Sequence, residues 1–352
     1  MKKVLSLVAA GLLTIGTVHG GTITVANSDI EMSGGVTAGY FYTTNVGSAN
    51  QDYFTVPTFA IDFTSHVNSM IGFTVGFGST KHPALLEPDP HVGFELEYSW
   101  VSIRPIDGLT VDAGLLLTNI GYELYHTYEN KNYTYGLVWW AQPVTYPGAR
   151  ITYSLNEDLD VYAEYTQDNA GVIYNVTPSD AFAVGAIGSM SGVNYALSYF
   201  DYNKTKNLID FVVGTEFEGF EIGLNFDYQW MDDTAKSALQ NAGATSIDDT
   251  AYGIALYIST KVDVFELPVR VEYVNDGSST NAVGNVIDDG IYGISGDSGW
   301  SFTVSPTYRP SNNTYIRAEF AYLSTDDKGF LDDKGNEKDN RTFIGVEAGF
   351  IF

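Results

Sequence analysis

Apolar and polar residues alternate with a period of two through most of this 352-residue chain. Phe220, Ile222, Leu224, Phe226, Tyr228 and Trp230 interleave with Glu221, Gly223, Asn225, Asp227 and Gln229. Successive side chains of a β-strand point to opposite faces, so this segment has one apolar face and one face of polar residues and glycine. Phe94, Leu96 and Tyr98 repeat the pattern against Gly93, Glu95, Glu97 and Ser99, and Phe265 to Tyr273 against Glu266, Pro268, Arg270 and Glu272. Ile344, Val346, Ala348, Phe350 and Phe352 close the chain in the same way. The segments run to about ten residues, the length a tilted strand needs to cross a bilayer. A soluble β-sandwich shares the period, but there are too many segments here for two layers. Beyond Gly20 no apolar run approaches the ~18 residues of a membrane helix, and lipid then leaves a closed barrel as the only spanning structure.

Sixteen strands are expected, at 34–43, 53–64, 70–78, 92–102, 109–117, 148–155, 159–168, 181–189, 192–202, 207–217, 219–230, 250–260, 262–274, 299–309, 313–324 and 341–352. An even number brings both chain ends to the periplasmic side. Short joints such as Asn156–Asp158, Glu218 and Pro310–Asn312 then read as periplasmic turns, and the connections at 79–91, 118–147, 231–249, 275–298 and 325–340 as outer loops. Tyr133, Tyr135, Leu137 and Trp139 also alternate; they are assigned to the long 118–147 connection, the alternative being an eighteen-stranded wall. Tyr98, Trp100, Tyr153, Tyr199, Tyr228, Trp230 and Tyr322 fall near strand ends on the apolar faces, where an aromatic girdle meets lipid headgroups.

The N-terminus reads as a signal peptide over residues 1–20, with Lys2 and Lys3 ahead of the apolar Val4 to Val18 and cleavage expected after Gly20. Residues 21–352 then form a single barrel domain. The formal charge of −26 disfavours nucleic acid as a partner. The absence of cysteine excludes a disulfide framework and thiol chemistry. Nothing in the chain has the spacing of a cofactor or metal motif.

Between Tyr98 and Asp168 the chain resembles a known family. The stretch reads Tyr98-Ser99-Trp100-Val101, Gly108-Leu109-Thr110-Val111-Asp112-Ala113-Gly114, Gly121-Tyr122-Glu123, Asn130 to Thr134, Pro147-Gly148-Ala149-Arg150 and Tyr153 to Leu155. It is similar to the OmpL-like group of β-barrel porins over about 70 residues, with Leu115 where the family carries Lys or Arg. The resemblance implies an outer-membrane pore for small hydrophilic solutes and ions, and no particular solute.

By analogy with general porins, the connection after the fifth strand is expected to fold into the lumen and narrow it. Its Tyr122, Glu123, His126, Glu129 and Lys131 would then face Arg150, Arg270 and Arg317 on the wall and set up a transverse field. Strand parity also puts Glu95, Glu97, Glu164, Asp227, Glu272 and Glu319 on inward faces, so the pore is expected to be lined by acid and to prefer cations. A homotrimer is expected by sixteen-strand analogy alone. Phe350 and Phe352 resemble the terminal signal read by the barrel assembly machinery. Outer-membrane lipid and lipopolysaccharide complete the expected partners; carboxylates of the acidic 326–339 loop have the chemistry to bridge to lipopolysaccharide through divalent cations, although a solvated acidic loop has the same composition.

Two other functions are weighed against the pore. Gly296-Asp297-Ser298-Gly299 matches the nucleophile motif of trypsin-like proteases, but the remaining signatures of that class are missing. An outer-membrane hydrolase would need a histidine at the outer rim, which His82 or His91 of one outer loop could supply, whereas His66 falls in a periplasmic turn. A structural or adhesive barrel with a plugged lumen would share the same wall.

Overall fold

The computed structural model describes residues 21–25, 28–49, 51–65, 70–87, 93–167 and 171–352. The expected signal peptide, and His66 and His91, lie outside them. Sixteen strands make the wall: β1 (Ser28–Thr43), β2 (Asp52–Thr55, continuing as Thr58–Ser65), β3 (Ile71–Thr80), β4 (Glu95–Ile106), β5 (Leu109–Leu117), β6 (Thr145–Ser154), β7 (Leu159–Thr166) and β8 (Ala181–Met190). They continue as β9 (Val193–Asp201), β10 (Lys206–Phe217), β11 (Phe220–Met231), β12 (Thr250–Val262), β13 (Phe265–Asn275), β14 (Ser298–Val304, continuing as Thr307–Ser311), β15 (Thr314–Thr325) and β16 (Asn340–Ile351). Each pairs antiparallel with the next, and β16 pairs back onto β1 from Gly35↔Ile351 to Thr43↔Phe343. The wall therefore has no open edge. A further strand, Gly21–Val25, folds back on Ser28–Met32 beside the C-terminus. No described helix is long and apolar enough to cross a membrane.

The Tyr133–Trp139 segment is not in the wall. It lies in the connection after β5 and ends in a one-turn helix, α1 (Leu137–Trp140). A second helix, α2 (Asp233–Asn241), caps the connection after β11, with Asp232 Oδ1 accepting from Thr234 N at 2.8 Å. The short turns gather at the opposite end of the barrel. Ser191–Gly192 and Glu218–Gly219 are two-residue turns with both residues at positive φ (54° and 81°, 48° and 79°). That conformation matches the twist of the strands it joins, and glycine reaches it without strain.

Exposure alternates along the strands as the sequence pattern demands. On β11, Glu221, Gly223, Asn225, Asp227 and Gln229 are buried within the barrel, whereas Phe220, Ile222 and Tyr228 are exposed on its outside. Parity fails on β4. The register there shifts between Gly76 and Phe77, which pair with Tyr98 and Leu96 and leave Glu97 as an extra residue. A bulge of this kind reverses the facing of the residues beyond it. Tyr98 and Trp100, expected in the outer girdle, point inward, and Val101 and Ile103 take the outside.

The inner faces are also less uniformly polar than the pattern suggests. Leu116, Tyr146, Tyr162, Ile187, Phe200, Leu208 and Val212 form an apolar cluster inside β5–β10. The cost of charge in hydrocarbon gives a direct test of the assigned faces. Leu224→Arg, on the lipid side, should cost roughly 2–4 kcal/mol. Asp160→Arg, inward and half-exposed near a short turn, should be tolerated. Equal shifts of the two variants in heat-modifiability gels would refute the assignment.

Candidate functional site

The connection from Thr118 to Val144 crosses the lumen and meets the wall on several sides. Apart from α1 it has no regular structure, so its N–H groups need acceptors from elsewhere. Wall carboxylates and amides supply many of them. Gly121 N donates to Asp210 Oδ1 (3.2 Å) on β10 and Tyr122 N to Asn225 Oδ1 (3.3 Å) on β11. Thr134 N donates to Glu319 Oε1 (2.9 Å) on β15, Tyr133 N also donates to Glu319, and Val138 N donates to Glu272 Oε1 (3.2 Å) on β13. Gln142 Nε2 donates to Asp227 (3.0 Å), and the Thr127 and Thr58 hydroxyls share a 2.6 Å hydrogen bond at β2. Asn130 ties the loop to itself, donating to Leu124 O (2.8 Å) and accepting from Leu124 N (2.8 Å).

Charged side chains close the remaining contacts. Arg270 is fully buried, pairs with Glu123 of the loop and with Glu272 beside it (3.1 Å), and donates to Thr134 O (2.5 Å). Arg317 pairs with Glu347 and donates to the loop carbonyls of Asn130 (2.5 Å) and Thr127 (3.0 Å). Lys131 of the loop pairs with Glu221 on β11. Arg150 stands apart at the root of the loop, paired with Glu164 (2.7 Å) and donating to Leu117 O (2.5 Å).

The structure thus brings Tyr122, Glu123, His126, Glu129 and Lys131 together with Arg270 and Arg317. Glu123 meets Arg270 directly and Arg317 meets the loop through backbone carbonyls, however, rather than across a water-filled gap. The acidic lining needs the same correction. Glu97, Glu164, Asp227, Glu272 and Glu319 are 0–5% exposed, because they hold the loop or pair with its neighbours. Of the six expected lining acids only Glu95 is open to water. Near the short turns, inward-facing Asp112, Asp160 and Glu216 also keep some exposure, whereas Glu266 is paired with Lys261 (3.4 Å) and Arg309 (3.6 Å). The first three line the inner wall on the side of the short turns.

His126 holds the loop to β4. Its ring nitrogens sit 3.1 Å from Glu97 Oε2 and 3.2 Å from Glu129 Oε2, with Tyr128 stacked on it. Burial opposes the imidazolium, but Glu129, Glu97 and Asp62 together outweigh it and raise the pKa to about 10. His82, buried and stacked on Trp139, is pushed the other way to about 3, by burial first and then by His126. His126 is therefore charged at neutral pH and His82 is not. A raised pKa makes the His126 contribution complete below the free imidazole value, and it is lost as pH rises through about 10. We expect current noise from the barrel in planar bilayers to grow as pH passes that point. Identical traces at pH 8 and pH 11 would rule this out.

Aromatic side chains of the loop sit over wall glycines. A Cβ on Gly35 would lie 2.7 Å from Tyr128 Cδ1, and one on Gly223 would run into the Tyr122 ring. Tyr122 in turn stacks on Tyr257 of β12, ring centroids 3.9 Å apart. The connection after β3 joins from the other side. Pro83 O accepts from Tyr135 N (2.7 Å), and Arg341 Nη1 donates to Leu85 O (2.8 Å). Above the loop, Leu137 and Val138 pack with Leu239 of α2 and with Ile291, Tyr292 and Ile294 of the β13–β14 connection in an apolar cluster. Asp276 fixes that connection by accepting from the N–H groups of Ile291, Tyr292 and Gly293 (2.8–2.9 Å).

The remaining expectations fall at the periphery. Ser298 Oγ donates to Asp326 Oδ2 (2.8 Å), and the described histidines His82 and His126 are held inside the loop region. The acidic 326–339 segment forms a small hairpin in which Asp332 accepts from Asn336 Nδ2 (2.9 Å), Asn336 N and Lys334 N, which hold its carboxyl down at about 2. Phe350 faces outward, and Phe352 pairs with Gly34 through two backbone hydrogen bonds (2.8 and 2.9 Å).

A closed, even-stranded antiparallel barrel with an apolar exterior and a long loop docked inside defines an outer-membrane protein of the porin type. The chain belongs to the family described as "Putative beta-barrel porin-2, OmpL-like", whose profile matches residues 29–352. Solved structures with this fold include the outer membrane channel DcaP of Acinetobacter baumannii, which is 10% identical with a TM-score of 0.62 and covers 92% of this chain and 97% of that one. OmpT of Vibrio cholerae is 10% identical with a TM-score of 0.60, covering 94% and 100%. An anion-selective porin from Comamonas acidovorans is 12% identical with a TM-score of 0.60, covering 92% and 100%. At these identities the likeness concerns the fold. No curated protein was found to match the sequence.

Proposed function

We propose that the protein is a diffusion channel for small hydrophilic solutes and ions, narrowed by the 118–144 loop and preferring cations. The observation that carries this reading is the loop itself, anchored by charged groups across a barrel large enough to hold water. Tyr122, Glu123, His126, Glu129 and Lys131, with Arg270 and Arg317, form the constriction, and Arg150 supports the root of the loop. Cation preference rests on the open inward carboxylates, Glu95, Asp112, Asp160 and Glu216, and on the net charge of −26. A reversal potential in a KCl gradient tests it. The sign should show potassium carrying most of the current, and a chloride-dominated current would overturn the preference.

A second reading is a barrel kept shut at rest. The apolar cluster of Leu137, Val138, Leu239 and Tyr292 above the loop favours it. Failure to record any conductance from purified, heat-modifiable protein would select this reading over the first. A hydrolase has no support in the Ser298 geometry, since its hydroxyl is committed to Asp326.

The same reading directs the long connections outward, so that a tag at Asp333 is labelled on intact cells; labelling only after lysis would reverse the orientation. Export uses residues 1–20 as a signal peptide. Phe350 and Phe352 serve assembly, and the rim meets lipid and lipopolysaccharide. A homotrimer is supported by the outer face of β2–β5, whose outward residues include no Tyr or Trp once Tyr98 and Trp100 turn inward. Elsewhere the girdle carries Tyr165, Tyr199, Tyr228, Trp230, Tyr252, Tyr273, Trp300 and Tyr322. Native mass spectrometry from mild detergent should then give three copies, and a monomer at all concentrations would remove the proposal.

A further inference from the structure

Between the underside of the loop and the wall at β11–β13 lies a cavity of about 40 Å³, room for roughly three waters. Tyr122 and Tyr257 form one side of it as a stacked pair. Glu221 stands beside them, accepting from Tyr122 OH (3.4 Å) and pairing with the Lys131 ammonium. Glu129 lies on the rim with its side chain 39% exposed. Ser259 lines the cavity from β12; it is 4% exposed and its Oγ has no hydrogen-bond partner. A buried hydroxyl left unpaired is costly, and one facing a cavity next to a carboxylate has the place of a ligand contact.

Each of these features selects the same chemistry. A carboxylate takes an ammonium through charge-assisted hydrogen bonds. A tyrosine pair beside it accommodates both the charge and the methylene groups attached to it. The site already shows the arrangement in miniature, because Lys131 presents a primary ammonium on an alkyl stem to Glu221. The Lys131 side chain keeps 26% of its exposure, so it lies within reach of solvent and can be displaced. Around the cavity Glu221 faces Lys131, while Glu129 is paired with His126 and Glu123 with Arg270.

We propose that this cavity is a binding subsite for solutes carrying a primary alkylammonium group, which compete with the Lys131 side chain for Glu221 while Ser259 accepts a second hydrogen bond. The subsite assigns a solute class to the channel proposed above and rests on that reading for its role in transport. Its existence as a binding site does not depend on conduction.

The test is equilibrium binding of 1,5-diaminopentane to the intact barrel in detergent micelles, measured by calorimetry, with 1,5-pentanediol as the uncharged control. Lys131→Met removes the competitor and should tighten binding several-fold. Glu221→Gln removes the charge-assisted contact and should weaken it about tenfold, the scale of such a hydrogen bond. Ser259→Ala should weaken it less. Heat-modifiability gels check that each variant is folded. Equal binding of the diol, or diamine binding that responds to neither Lys131→Met nor Glu221→Gln, overturns the subsite. The same diamine should interrupt single-channel current in a Glu221-dependent manner. Binding without conductance would leave the subsite standing and refute the channel instead.

Discussion

Arg270→Met should destabilise the barrel by about 3–5 kcal/mol, the scale expected when one partner of a buried ion pair is removed. Arg270 is fully buried between Glu123 and Glu272 and also donates to Thr134 O. Without it two carboxylates remain within a few ångströms of each other with no counter-charge, and the loop loses one of its ties to β13. The measurement is urea unfolding in detergent micelles, read by tryptophan fluorescence. The double variant Arg270→Met/Glu123→Gln should recover part of the loss, because it removes one of the stranded charges. A change below about 1 kcal/mol for the single variant, the size of an exposed ion pair, would mean that Arg270 is hydrated and the loop is not docked as described.

Deleting residues 122–131 should raise single-channel conductance several-fold. That segment carries the contacts to β2, β4, β11 and β15 made by Thr127, His126, Tyr122 and the carbonyl of Asn130. Its removal opens the cross-section between those strands, and a sixteen-stranded wall is wide enough to leave an aqueous channel there. The wall itself should survive, since its sixteen pairings run strand to strand without the loop. An unchanged conductance in a folded, heat-modifiable variant would place the narrowest point elsewhere, for instance at the apolar cluster near α2.

The wall is legible in the sequence because its cause is local. Each strand must put apolar side chains into lipid at every second residue, and that period survives in the sequence of β11, β13 and β16 whatever the neighbours are. It misleads on β4, where one extra residue at Glu97 reverses the faces. Tyr98 and Trp100 fit either side of such a wall, so nothing in their chemistry marks the bulge. The loop after β5 is legible from its length and position. Its anchoring is not. Glu319 and Glu272 look like pore-lining acids from parity alone, yet they accept N–H groups from residues more than a hundred positions away. Which carboxylate meets which loop amide depends on the relative heights of strands far apart in the chain, and no spacing in the sequence records that. The glycines that hint at it, Gly35 and Gly223, read equally well as ordinary polar-face positions.

Those two glycines make the wall a mould of its loop. Tyr128 and Tyr122 occupy the space that side chains at Gly35 and Gly223 would need. A segment transplanted from a related barrel would bring its own aromatics to different heights and meet side chains where hollows are required. Loop and wall are in this sense a matched set. Exchange of channel properties between relatives by swapping this segment should therefore succeed only when the corresponding small residues on β1 and β11 are moved with it.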